Sequence, residues 1–391
     1  MQLPSQTHNR WRTRWLVALA GIGVGLQAGD PAAPSLAARL APFVAHHSLA
    51  GAVMVVAAKD RVLRTETVGF ADLATRAPMK PDTLFWIASQ SKAMTAAALL
   101  MLVDEGRVSL EAPVATYLPE FKDQMLVVER DAAHTLLRRP PHPITVREIL
   151  THTSGLPFTS ALEEPTLDAL PLRVAVRSYA MTPLQFAPGT RYQYSNAGFN
   201  TAGRILEVVS GMPYEQFMER RLFQPLGMKD TTFWPTARQL QRLAKSYRAN
   251  GDHTGLEETS ITQLHYPLSD RRHRFPMPAG GLFSTARDVA GFCQMVLNGG
   301  ELGGRRLLSP AAVKAMTTRQ TGPGLPQSYG FGWAIGDAWY GHGGAYATDM
   351  TVEWRRGLVL VWMVQHASYS GDGAKSLEAF KQAALAEHWE R

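Results

Sequence analysis

Phe85-Trp86-Ile87-Ala88-Ser89-Gln90-Ser91-Lys92-Ala93-Met94-Thr95 is the stretch from which the organisation of the chain follows. An apolar, strand-like approach ends at Ser89. The Ala/Leu/Met-rich run from Ala93 to Val103 then predicts a helix, closed near Gly106 by a glycine after an acidic pair. Residues three apart on a helix share a face, so the Ser89 hydroxyl and the Lys92 amine can meet. A lysine desolvated against a buried helix loses basicity and can take a proton from serine. The positive end of the helix favours the alkoxide that forms. By itself Ser-x-x-Lys is a weak signal, because an N-terminal helical turn with a solvated lysine reads the same way.

Outward from this stretch, Gly51 to Lys59 is an apolar run. Asp60-Arg61 makes a turn, and Val62 to Phe70 is the expected hairpin partner. Residues 109–143, rich in proline and carrying Arg138-Arg139-Pro140-Pro141, read as a surface excursion. Thr145 to Glu148 has the spacing of a capping box, opening a short helix to Leu150. In Thr151-His152-Thr153-Ser154-Gly155, His152 and Ser154 suggest a catalytic pair. The preferred reading is that their side chains satisfy backbone groups of a tight loop. Residues 160–240 read mainly helical and 241–278 polar and irregular. Thr285, with Asp288 three positions on, caps a further helix. Ala345 to Glu353 and Leu358 to Gln365 are β-rich runs around Arg355-Arg356-Gly357, and Ala374 to Trp389 reads as a terminal amphipathic helix. Strands at both ends with helices between predict a sheet closed in space with a helical region inserted at about 105–285. Without an alternating βαβ pattern, a doubly wound parallel sheet is not expected.

Composition narrows the classes further. The 391 residues are 45% hydrophobic, enough for a sizeable core. The net charge is +7, with a pI near 9.5. Arg10, Arg12 and Arg14 supply three of those charges, and removing them leaves +4. That mild bias, with no aromatic-plus-basic cluster, argues against nucleic acid as a partner. The single cysteine, Cys293, lies in an apolar helical stretch and reads as a buried, inert thiol. His46 and His47 lack a third ligand at sensible spacing, so no metal and no cofactor are expected. Arg10 to Arg14, the apolar run Trp15 to Leu26 and the small residues around Ala28 read as a secretory signal over residues 1–28. A periplasmic or secreted location is expected, with membrane contact only through this segment if it stays uncleaved. Ala32 to Ala41 would open the mature chain as a helix with Leu36, Leu40 and Phe43 on one face.

A lysine-based serine hydrolase also needs a proton donor, a polar anchor and an oxyanion hole. Tyr194-Ser195-Asn196 can supply the first two: a tyrosine near an ammonium is expected to have a depressed pKa and relay protons, and an amide two residues on can hold substrate and Lys92. At this point Ser89-x-x-Lys92, Tyr194-Ser195-Asn196 and His342-Gly343-Gly344, in that order, resemble the three motifs of the serine β-lactamase and penicillin-binding-protein superfamily. The resemblance is to its class C β-lactamase-like branch, with DD-peptidases and family VIII carboxylesterases. Leu150 to Leu156, Phe186 to Thr190, Pro225 to Met228 and Gly280 to Thr285 match as well, and the likeness spans about residues 36–388.

The resemblance implies an α+β, β-lactamase/transpeptidase-like fold: an antiparallel sheet flanked by helices plus an inserted, mainly helical region. It makes Ser89 the acylated nucleophile, with Lys92 and Tyr194 sharing general base and acid work. Asn196, His342 and Gly344 would bind substrate, and the N–H groups of Ser89 and Ala345 would form the oxyanion hole. His253-Thr254-Gly255 fits the third motif better letter by letter, but lies in a polar stretch with no strand expected after it. The family's third motif usually carries lysine plus a hydroxyl, which hold a substrate carboxylate. A histidine is only partly charged near neutrality and Gly343 has no hydroxyl. The expected substrates are therefore small esters, or amides or β-lactams. A carboxylesterase-like activity is favoured over β-lactamase or D-Ala-D-Ala carboxypeptidase. A catalytically silent penicillin-binding-like module is the reading from another class, and an α/β-hydrolase fails for want of a Gly-x-Ser-x-Gly elbow.

Overall fold

The computed structural model describes residues 35–387, so the signal-like segment at 1–28 lies outside the described residues. Seven antiparallel strands form the central sheet: β1 (Gly51–Ala57), β2 (Val62–Asp72), β3 (Ala77–Pro78), β4 (Ala334–Ile335), β5 (Trp339–Gly343), β6 (Asp349–Glu353) and β7 (Leu358–Met363), in the order β4-β5-β6-β7-β1-β2-β3. The two ends of the chain meet where β1 pairs with β7, Val53 opposite Met363 through Ala57 opposite Val359.

Strand alternation explains the layers. Ala52, Met54 and Val56 of β1, with Leu358, Leu360 and Trp362 of β7, face helices α1 (Leu36–Ala45) and α5 (Ser376–Glu387) through Leu36, Leu40 and Phe380. Val53, Val55 and Ala57, with Val359, Val361 and Met363, face the larger core, which contains helices α2 (Ser91–Asp104), α3 (Asn196–Ser210) and α4 (Ala286–Leu297). Buried on both faces, β1 and β7 are apolar throughout. The expected first helix begins at Leu36, with Ser35 as its cap; the side chain of Ser35 accepts from the Ala38 N–H.

The Thr145 capping box forms as expected, and Thr285 caps α4. Two expectations change. Residues 126–138 form a hairpin, Leu126–Arg130 against Thr135–Arg138, and the polar stretch holds a second, Ser246–Ala249 against Leu256–Thr259. Residues 345–348, expected in a strand, instead form a tight turn in which the Gly344 N–H donates to the Thr348 carbonyl and Ala347 sits at φ +64°. Among the described residues no helix is long and apolar enough to cross a membrane.

Candidate active site

Ser89 lies in a single 3₁₀ turn, Ala88–Gln90, immediately before α2. Ala88 is held in the left-handed region at φ +44°, a conformation worth about 1–3 kcal/mol of strain for a residue with a side chain. The Ser91 hydroxyl secures it by donating to the Ala88 carbonyl at 2.6 Å. Lys92, one turn on, is fully buried, and its Nζ lies 3.2 Å from Ser89 Oγ, 2.8 Å from Asn196 Oδ1 and 2.7 Å from the Ala279 carbonyl. With no carboxylate among these partners, burial holds Lys92 well below the usual lysine range. A neutral amine donates two protons, to Asn196 and Ala279, and turns its lone pair to the Ser89 hydroxyl.

Asn196 is the first residue of α3, capped by the Ser195 hydroxyl, which accepts from the Gly198 N–H at 3.1 Å. Tyr194 precedes the cap, with its hydroxyl facing the Ser89 side chain and its ring centroid 4.6 Å from Lys92 Nζ. The expectation of a depressed tyrosine pKa is wrong. Desolvation raises the Tyr194 pKa, and the Ser89 hydrogen bond only partly opposes it. Tyr194 is therefore a protonated phenol at neutral pH, suited to giving a proton rather than starting as a tyrosinate.

His342 sits at the Ser89 end of β5, beyond the two residues that pair with β4. Its Nδ1 lies 2.7 Å from the Gly343 carbonyl, so this nitrogen carries the proton. Nε2 then accepts from the Tyr329 hydroxyl at 3.1 Å. Burial, and secondly the nearby Lys92, push its pKa down to about 4. The ring is thus uncharged at neutral pH, not partly charged as expected, and both nitrogens are engaged. Gly344 packs against the approach to Ser89: a Cβ there would lie 2.7 Å from the Ile87 carbonyl oxygen. The N–H groups of Ser89 and Ala345 have no hydrogen-bond partner among the described residues.

The structure thus brings Ser89, Lys92, Tyr194 and Asn196 together and sets His342, Gly344 and Ala345 beside them. Sequence reasoning missed the Ala279 carbonyl, a backbone group with no side-chain signature. Its support is nonlocal. The Thr95 hydroxyl donates to the Pro278 carbonyl, Asn200 Oδ1 accepts the Ala279 N–H, and the Trp86 indole donates to the Gly280 carbonyl. Arg274, just upstream, is buried in an ion pair with Asp168 at 2.6 Å. The Gly280-Gly281 pair was the one available signal. His152 and Ser154 do satisfy backbone, accepting from the Ser195 and Leu156 N–H groups. His253-Thr254-Gly255 occupies the loop of the second hairpin, and a strand does follow it. Thr254 and Gly255 nevertheless border α1 and β2, away from the Ser89 cluster.

The Beta-lactamase family model matches residues 36–384. Protein Rv1367c of Mycobacterium tuberculosis is 32% identical over 357 residues, covering 81% of this chain and 86% of that protein. Esterase EstB of Burkholderia gladioli is 36% identical over 217 residues, 51% of this chain and 52% of its own. Among solved structures, EstCE1, a hydrolase with promiscuous acyltransferase activity, superposes with a TM-score of 0.74 at 24% identity over 89% of this chain and 98% of that one.

Proposed function

The chain belongs to the Beta-lactamase family and is a serine hydrolase, and from that premise we propose that it is a carboxylesterase working through an acyl-enzyme at Ser89. In acylation, neutral Lys92 takes the Ser89 proton as Oγ bonds to the ester carbonyl carbon. The carbonyl oxygen becomes an oxyanion against the N–H groups of Ser89 and Ala345. Collapse breaks the bond to the alcohol oxygen, Tyr194 gives that oxygen its proton, and the Lys92 ammonium restores the phenol. In deacylation the same pair takes a proton from water, whose oxygen attacks the acyl carbon, and Ser89 leaves with a proton returned.

The observation that carries the ester reading is His342. A neutral ring with both nitrogens engaged offers no cation and no free donor to a substrate carboxylate. β-Lactams and D-Ala peptides carry that carboxylate; simple esters do not. The test is turnover of a short-chain p-nitrophenyl ester beside a chromogenic cephalosporin, each with Ser89→Ala as control. Ester cleavage that depends on Ser89 and far outruns cephalosporin cleavage is expected. Fast cephalosporin cleavage would overturn the reading in favour of a β-lactamase. Absence of turnover and of covalent labelling at Ser89 would instead support the silent module. As a gain-of-function check, His342→Lys should raise cephalosporin turnover relative to ester turnover, and no change would remove His342 from the substrate's path.

Export is part of the same proposal, supported by the basic and apolar N-terminal run before residue 28. Fractionation of cells making the full chain tests it, and a wholly cytoplasmic product would refute it.

A further inference from the structure

Tyr194 stands on an irregular segment, residues 191–195, that belongs to no strand. No ladder fixes it, yet its hydroxyl must stay on Ser89. The residue that brackets it comes from the Leu150–Leu156 stretch. The His152 carbonyl accepts the Gln193 N–H at 2.9 Å, and His152 Nδ1 accepts the Ser195 N–H at 3.0 Å. One residue thus holds the backbone on both sides of Tyr194. Its ring also lies on the Tyr194 ring, centroids 4.4 Å apart at 34°, with Phe199 and Tyr329 closing the stack at 5.2 and 4.8 Å.

Three features exceed what a loop-filling histidine needs. His152 is only 1% exposed. It holds the left-handed conformation at φ +61°, uncommon for a residue with a side chain. Its Nε2 is buried without a partner among the described residues, a cost proteins seldom leave unanswered. Because Nδ1 accepts, the ring must be neutral with its proton on Nε2. Burial, and secondly the neighbouring Lys92, hold it neutral to well below the usual histidine range. An imidazolium would present a donor to the Ser195 N–H and open the bracket.

We propose that His152 is a positioning residue that holds the Tyr194 phenol on Ser89 and the leaving group. The proposal rests on the reading of Tyr194 as the proton donor. That role has a signature: an alkoxide needs a proton to leave, whereas nitrophenolate does not. A residue acting through Tyr194 must therefore matter more for an alkyl ester than for a p-nitrophenyl ester.

The experiment measures kcat/KM for both esters, per site titrated with a covalent serine probe, in wild type, His152→Asn, Tyr194→Phe and the double variant. Asparagine tolerates the left-handed backbone. If that variant does not label, His152→Gln is read in the same way. The expected result is a loss on the order of 100-fold for the alkyl ester, the scale of a misplaced catalytic group, with a much smaller loss for the p-nitrophenyl ester. In the Tyr194→Phe background the His152 change should add no more than about threefold. Equal losses on both esters, or an undiminished loss in the Tyr194→Phe background, would overturn the proposal while leaving Tyr194 in place. If Tyr194→Phe itself leaves alkyl-ester turnover unchanged, the proton-donor reading fails first and this proposal falls with it.

Discussion

Lys92 meets three acceptors and no carboxylate, and that fixes which protonation state can work. An ammonium would spend all three protons on Ser89, Asn196 and Ala279 and have no lone pair for the nucleophile. In the proposed mechanism Lys92 acts only when unprotonated, and burial lowers its pKa from the ordinary 10.5. Activity should therefore rise with pH through a limb lying below 10.5. Lys92→Arg, which stays charged, should cut the acylation rate by roughly 10⁴ or more. Stopped-flow measurement of the acylation burst reads this, and a burst retained in the arginine variant would exclude Lys92 as the base. The Ser89–Lys92 pair was legible because a helix turn is local and i, i+3 spacing is written in the sequence. The Tyr194 pKa was not legible. Proximity to Lys92 points one way, while burial against His152, Phe158 and His342, which only the tertiary fold creates, points the other and prevails.

At the level of elements, the proposed oxyanion hole depends on how closely β5 approaches the turn before α2. Gly344 makes that approach: an added Cβ would meet Thr348 Oγ1, which can rotate away, and the Ile87 backbone carbonyl at 2.7 Å, which cannot move without shifting the turn. Gly280, in the loop presenting Ala279, would crowd the Met277 methyl at 2.8 Å, the far end of a flexible side chain, and meet the Ala88 backbone at an ordinary contact distance of 3.6 Å. Gly344→Ala should therefore lower kcat by about 10²-fold or more, the scale of losing an oxyanion donor. Gly280→Ala should change it little, and thermal melts should show both variants folded. Equal effects at the two glycines would mean that the strand end does not set the hole. Hairpins with a glycine or charged turn between apolar runs were readable, as at Asp60-Arg61 and Gly357. The hairpin at 126–138 had its signal too, Leu-Val-Val-Glu-Arg and Thr-Leu-Leu-Arg around a polar turn, but the prolines after it masked the pattern. The turn at 345–348 was missed because its left-handed residue is alanine, where a glycine would have announced it.

Across the whole molecule, closing the sheet between its first and last strands buries groups drawn from both ends of the chain, and His366 shows the consequence for pH. It follows β7, its Nε2 accepts the Ala50 N–H just before β1 at 3.2 Å, and its own N–H donates to the Tyr346 carbonyl at 3.0 Å. Its ring stacks on Tyr369 at 4.7 Å. Burial pushes its pKa down to about 4 from an ordinary 6.5. Between those two values the unfolded chain binds a proton that the folded chain refuses, so stability rises with pH across that window. The contribution is complete above pH 6.5 and lost as pH falls towards 4. His342 adds the same sense over the same window. Glu148 and Glu163, whose carboxyl pKa values are raised by burial, act in the opposite sense, so the informative quantity is a difference between two proteins. His366→Gln, which removes the titrating group, should make the fall in unfolding free energy on acidification shallower by up to about 1.4 kcal/mol per pH unit. Urea unfolding of both proteins at several pH values between 6.5 and 4.5 measures the two slopes. Parallel slopes would mean that His366 takes up its proton as readily in the folded chain as in the unfolded one, and that the seam between β1 and β7 does not seal it from water.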